Sequence, residues 1–246
     1  MLNAPRKRKK VEIVFEDDHL LAVNKPAGLV TLNVSTNQAQ TLEDWVKNSF
    51  SLFSEKNISR RAKDSLREED FWRRCGIVHR LDKPTSGLIL IAKDVTTFQA
   101  LQQQFKQRKI QKIYWALAVG KLPSEGAVKA PLGRLKSDPF KFGVVPGGKT
   151  ALTEFSLLRL IRIGDCFHSL VEVRPKTGRT HQIRVHFKYL GNPLFGDQLY
   201  GGKKEQGRPL FLVAKEIKFK HPVTGKILKL TVDLPTNLFN YLNTNG

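Results

Sequence analysis

The chain has 246 residues, room for one large domain or two small ones. Hydrophobic residues at 40% and charged residues at 26% permit a sizeable core and exclude wholesale disorder, and no apolar run is long enough to span a bilayer. Forty-two Lys and Arg against 22 Asp and Glu leave a net charge of +20, whose self-repulsion a polyanionic partner would offset.

No basic amphipathic helix suggests a membrane surface, so nucleic acid is the expected partner class. Met1 to Lys10 is basic with no apolar stretch behind it, so no secretory signal is readable. Cys75 and Cys166 are too few for a disulfide framework or a four-cysteine zinc site. They read as reduced, mostly packed thiols of a cytoplasmic protein.

Residues 1–10 read as a basic arm, Arg6 to Lys10 carrying no acidic residue. Glu12 to Phe15 and Leu20 to Val23 predict two strands around a Glu16–His19 turn, the second ended by Asn24-Lys25-Pro26-Ala27-Gly28. Thr41 caps a helix whose apolar stripe is Leu42, Trp45, Val46 and Phe50. The charged segment 55–74 reads as a surface helix or loop. Gly76-Ile77-Val78 and Gly87 to Ala92 predict buried strands, and a helix follows from about Thr97 to Phe105.

Gln111 to Gly120 alternates, with Ile113, Trp115, Leu117 and Val119 on one side and Lys112, Tyr114, Ala116 and Ala118 on the other. Strands are predicted at Thr153–Ile163, Ser169–Val173, Phe211–Phe219 and Ile227–Leu234. A helix over Arg179–Leu190 carries Ile183, Phe187 and Leu190 on one stripe and is closed by Gly191. The fold class expected is α+β, a mixed and largely antiparallel central sheet with flanking helices and loops, as one domain over 11–246.

Two stretches are dense in chemistry. His79-Arg80-Leu81-Asp82-Lys83-Pro84-Thr85-Ser86-Gly87 puts charged and turn-forming residues between apolar strands, as a ligand-facing loop or as a turn with Asp82 bonded to local backbone. In Lys176 to His186, helical spacing puts His181, Arg184 and Lys188 on one face, either functional or solvated. Two histidines without a third ligand argue against metal. Gly143-Val144-Val145-Pro146-Gly147-Gly148-Lys149-Thr150 has the letters of a phosphate-binding P-loop, but Pro146 interrupts it and a strand pattern follows, so no nucleotide cofactor is expected.

Together these segments resemble the catalytic domain of the RluA-type RNA pseudouridine synthases. The resemblance rests on Asn24-Lys25-Pro26-Ala27-Gly28-Leu29, on Gly76 to Leu88 around Asp82, on Lys112-Ile113-Tyr114-Trp115-Ala116, and on Thr177 to His186 followed by Gly191-Asn192-Pro193 and Gly196-Asp197. In order, they cover roughly residues 11 to 234. Two departures stand out. The ten residues before Val11 are too few for the S4-type RNA-binding domain that members often carry, and Leu212-Val213-Ala214 stands where the family tends to have Leu-His-Ala.

The resemblance implies isomerisation of uridine to pseudouridine in tRNA or rRNA, without metal or cofactor; a monomer is the default expectation. It implies Asp82 as the catalytic carboxylate, ionised by pairing with Arg184 in a partly dry pocket. Tyr114 stacks on the base and removes the C5 proton, with Ala116 and Ala118 leaving room for a ring. Arg80 fills the gap left by a flipped uridine. His79, Leu81, Thr85, Arg179, His181 and Leu212 join Arg80 as expected substrate-binding residues. Basic residues of the arm, of 106–112 and around 203–229 track phosphates, none singled out. The rival readings are a catalytically idle RNA-binding protein on the same scaffold, which predicts a degraded aspartate loop, and a glycosidase, which needs a second placed carboxylate.

Overall fold

The computed structural model describes residues 10–33, 40–53, 68–201 and 207–243. The expected basic arm, up to residue 9, and most of 55–74 lie outside them. Contacts divide the chain into two compact units, Met1–Gln102 and Gln103–Gly246.

In the first unit, β1 (Glu12–Glu16) and β2 (Leu20–Lys25) form the expected hairpin. Asp17 Oδ1 shapes its turn by accepting from the backbone N–H of His19 and Leu20 at 2.9 and 2.7 Å. Helix α1 (Leu42–Ser49) starts at Thr41 with a full capping box: the Thr41 hydroxyl accepts from Asp44 N–H, and the Asp44 carboxylate accepts from Thr41 N–H. Helix α2 (Glu69–Arg73) corrects the expectation of a surface segment, because Phe71 and Trp72 are buried in an aromatic cluster with Phe53 and Phe98. Strand β3 (Ser86–Ala92) pairs antiparallel with β2, Leu20 opposite Ala92 and Lys25 opposite Gly87. Every β3 residue is buried, which is why its sequence is a continuous apolar run.

Gly76-Ile77-Val78 is not the strand expected. Cys75 and Gly76 both take positive φ, 48° and 71°, and a Cβ on Gly76 would lie 2.0 Å from the Ala92 carbonyl oxygen. Gly76 ends a turn, and the short segment after it, buried as expected, meets β3 through one bridge, Ile77 to Ile91, with Val78 N–H donating to Leu90 O at 3.3 Å and Ala92 N–H to Gly76 O at 2.9 Å. Helix α3 (Val95–Lys106) begins with Asp94 accepting from Thr97 N–H at 2.7 Å, and the division between the units falls within it.

The second unit contains β4 (Gln111–Val119), β5 (Glu125–Lys129), β6 (Leu132–Arg134), β7 (Phe142–Val144), β8 (Leu152–Ile163), β9 (Cys166–Pro175), α4 (Gln182–Tyr189), β10 (Leu212–Lys220), β11 (Ile227–Thr231) and α5 (Thr236–Asn243). Its main sheet runs β11-β10-β4-β9-β8-β5, all antiparallel, and β6 and β7 form a separate hairpin. One core cluster under α4 joins Ala116, Ala118, Phe155, Val171, Phe187 and Leu212. The architecture is thus the largely antiparallel α+β class expected.

Several expectations need correcting. Strands β5 to β7 and helix α5 were not anticipated, and β11 stops at Thr231, short of Leu234. Helix α4 starts at Gln182, because His181 sits before it in left-handed conformation (φ 55°, ψ 20°); Gly191, at φ 80°, follows its end as expected, but Leu190 is exposed. The P-loop letters fall on β7 and a turn leading to β8, with no helix after them. Cys75 is buried as expected, whereas Cys166 is exposed. Among the described residues no helix is long and apolar enough to cross a membrane.

Candidate active site

Asp82 sits half-buried on the loop between Val78 and β3, and this loop is held from below by the segment that follows β2. The Thr31 hydroxyl donates to Leu81 O at 2.8 Å and accepts from Leu81 N–H at 3.3 Å. Gly28 N–H donates to Lys83 O at 2.6 Å, and Thr85 N–H closes the turn onto Asp82 O at 3.1 Å. Beneath them Lys25 is fully buried, its ammonium donating to the carbonyls of Leu29, Pro26 and Lys83 at 2.8, 3.0 and 3.4 Å. A buried cation is tolerable only when its donors are used, and here three carbonyl dipoles use them. The Lys-Pro step is therefore a tie between two loops, a role its sequence did not reveal.

The other expected residues of this loop divide by exposure. Leu81 and Thr85 are buried, Arg80 is exposed, and His79 is intermediate. His79 Nε2 accepts from Leu90 N–H at 3.0 Å, which puts the ring proton of the neutral imidazole on Nδ1.

In the second unit Tyr114 is partly buried on β4, opposite Val173 of β9 and Ala214 of β10, and packs against the core cluster that includes Leu212. Ala116 and Ala118 have no accessible surface, so the expected room for a ring does not lie over them. Leu212 is itself core, 3% exposed.

Arg184 is also buried, which rules out a solvated basic face for it. Its Nε and Nη2 each donate to Asp197 at 2.8 Å, a bidentate fork. Asp197 is fully buried, and its Oδ1 also accepts from Leu199 and Tyr200 N–H at 3.0 Å. Gly196 permits this approach: it takes φ 73°, and a Cβ there would lie 1.9 Å from Pro209 O. The Tyr200 ring lies against Arg184, 5.1 Å from the guanidinium carbon to the ring centroid, while its hydroxyl meets His181 Nδ1 at 2.9 Å and accepts from Phe142 N–H at 3.0 Å. Tyr200 thus brings His181 and Arg184 together, although His181 lies outside the helix where spacing put it.

Arg179 goes elsewhere, its Nε donating to Thr150 O at 3.2 Å. Its loop is fixed by Gln182, whose amide uses all four hydrogen-bonding positions. Oε1 accepts from the Thr177 hydroxyl (2.6 Å) and Arg179 N–H (3.0 Å); Nε2 donates to Leu152 O (3.0 Å) and the Thr153 hydroxyl (2.9 Å). Lys25, Thr31, Gln182, Asp197 and Tyr200 are supports that spacing did not single out. Their signal is a polar residue inside an otherwise apolar or motif-bearing stretch, which burial turns into a need for partners.

Residues 19–189 match the family model described as RNA pseudouridylate synthase. An uncharacterized RNA pseudouridine synthase of Bacillus subtilis (strain 168) is 35% identical over 236 residues, 96% of this chain and 72% of that protein. The ribosomal large subunit pseudouridine synthase D of Pseudomonas aeruginosa is 35% identical over 241 residues, 92% of this chain and 69% of its own length. Among solved structures, human RNA pseudouridylate synthase domain containing 1 has the same fold, with a TM-score of 0.68 over 94% of this chain and 86% of its own at 23% identity. The resemblance expected from four motifs in order is borne out at the level of the family: the chain belongs to the RNA pseudouridylate synthase family, a family of isomerases.

Proposed function

We propose that the chain isomerises specific uridines of RNA to pseudouridine, with Asp82 as the catalytic carboxylate. The C1′–N1 bond breaks, the base turns within the site, and C5 bonds to C1′. N1 gains a proton and C5 loses one, so the reaction balances without oxidant, reductant or net hydrolysis. Asp82 serves the sugar, as nucleophile at C1′ or as base at the 2′ position. Arg184 holds it ionised, Tyr114 stacks on the base and takes the C5 proton, and Arg80 fills the gap left by the flipped nucleotide. His79, Leu81, Thr85, Arg179, His181 and Leu212 shape or line the substrate site.

Extruding a paired uridine costs roughly a few kcal/mol, which contacts along the RNA must supply. Ribosomal RNA is the favoured substrate, because relatives such as the Pseudomonas aeruginosa protein are named for the large ribosomal subunit; tRNA is the competing class. Residues 11–246 act as one catalytic module, a reading supported by a family match that runs across the division at Gln102. The protein works as a cytoplasmic monomer.

The observation that carries the proposal is the aspartate loop: a half-buried carboxylate on a turn tied down by Lys25, Gly28 and Thr31, inside the family-matched segment. Tritium release from RNA labelled at uridine C5 tests it, with unmodified rRNA and tRNA as separate substrates. Wild type is expected to release tritium from one class, and Asp82→Asn to lose release by at least about 10³-fold, as expected for a group in the transition state. Release by Asp82→Asn at the wild-type rate would remove Asp82 from the mechanism. Salt-dependent binding with no release from either class would favour the idle RNA-binding reading.

A further inference from the structure

The last turn of α3, the residues leading into β4, and the loop from Pro175 to Arg179 enclose an open groove of about 880 Å³ within the second unit. Its cations are Lys106, Arg108, Lys112, Arg174, Lys176 and Arg179, and no Asp or Glu lines it. Arg174 and Lys176 have carboxylate partners outside the lining, Glu172 at 2.6 Å and Glu154 at 2.9 Å. The other four have none among the described residues.

Lys112 is the informative member. Its side chain is partly buried, and desolvation pushes its ammonium below the ordinary lysine range. A Cβ added to Gly178 would lie 3.7 Å from Nζ, so the ammonium stands beside the bare backbone of that loop. A cation loses hydration at a cost unless an anion replaces the water, and this groove provides no anion of its own.

The placement favours RNA over a free anion. Lys112 is two residues before Tyr114 on one face of β4, a separation of about 7 Å along the strand. The opposite wall, Thr177 to Arg179, is the loop that Gln182 pins to the start of β8. A groove lined by six cations, four of them without a carboxylate partner among the described residues, suits a chain of phosphates and exceeds what one small anion needs.

We propose that this groove grips the RNA phosphodiester backbone beside the target nucleotide, with Lys112 as the central contact and Arg108 and Arg179 at its rim. The proposal rests on the RNA-modifying reading above and adds to it a defined track. Lys112 touches backbone, not the reacting atoms, so its contribution is to ground state and transition state alike: its loss raises KM and leaves kcat in place.

The test is fluorescence-anisotropy binding of a labelled 17-nucleotide RNA stem-loop from 50 to 300 mM NaCl. Wild type is compared with Lys112→Met, Arg108→Gly and, as a control, Lys129→Met, exposed on β5. Lys112→Met keeps the buried stem, and Arg108→Gly suits a position at φ 57°, so either variant can answer if the other fails to fold. Each groove variant is expected to weaken binding about tenfold at low salt. Each is also expected to reduce the slope of log K against log[salt] by roughly 0.7 to 0.9, the value of one phosphate contact, with the control unchanged. Groove variants that match wild type in affinity and slope would overturn the track while leaving the RNA reading standing, since wild type would still bind. A wild type that fails to bind the stem-loop overturns both.

Discussion

His186 shows how much one side chain can fix. It is fully buried beneath α4, with Nε2 3.2 Å from Ala130 O and Nδ1 2.9 Å from the Thr153 hydroxyl. A carbonyl only accepts, so Nε2 carries a proton; burial favours the neutral ring, whose Nδ1 then accepts from the Thr153 hydroxyl. Burial pushes its pKa down, and the bond to Ala130 opposes this only in part. The unfolded chain then binds the proton at higher pH than the folded one, so between the two values stability rises with pH. The contribution is complete above the ordinary histidine value of about 6.5 and is lost as pH falls through the window below it. Melting temperature is expected to drop by about 2–5 °C from pH 7 to pH 5 on this account. His186→Gln should show a shallower drop in the same thermal melts; an unchanged slope would acquit His186. Arg184 makes a similar point from the other side: its place in a motif was legible, but its bidentate partner Asp197 was not, because a contact thirteen positions away depends on how the chain returns after α4.

Among the elements, α1 has a reach beyond its eight residues. Its first N–H groups go to Val30 O at 2.8 Å and Thr31 O at 3.2 Å, and Thr31 is the residue that holds Leu81. The helix N-terminus, the segment after β2 and the aspartate loop are one hydrogen-bonded series. Thr41→Ala removes the cap hydroxyl and should lower unfolding free energy by about 1 kcal/mol in urea titration, with Thr41→Ser near wild type. Equal losses for both substitutions would mean that the hydroxyl is not what matters. Cap and stripe made this helix legible, as alternation did for β4. The hairpin of β6 and β7 was not legible: Gly133 faces Gly143 across three residue pairs, so no apolar alternation is available to read. Gly76 to Val78 failed the opposite way, with strand-like letters behind two left-handed residues that the letters do not disclose.

For the whole molecule, charge is the property that sequence stated most plainly and structure made specific. A net +20 strains the folded chain through repulsion, and salt at 0.15 M screens charges beyond about 8 Å. Raising NaCl from 20 to 200 mM should therefore raise the melting temperature in calorimetry; no rise, or a fall, would mean that ion pairs such as Lys93–Glu16 and Lys229–Glu216 outweigh the repulsion. Fold class and the loop that carries Asp82 were legible because both depend on local pattern and on a long motif. What holds the loop was not, since Lys25 and Thr31 act through carbonyls and amides, which every residue has.

The two cysteines differ more than their number suggested. Cys75 is buried and its thiol is pushed up to about 12, whereas Cys166 is exposed at the first residue of β9. Only a thiolate attacks a maleimide, so at neutral pH a dye attaches at one position and leaves the other untouched. The unaltered chain thus carries its own single attachment point for a fluorophore, on the unit that holds the cationic groove, and RNA arrival there can be followed in real time without engineering a residue.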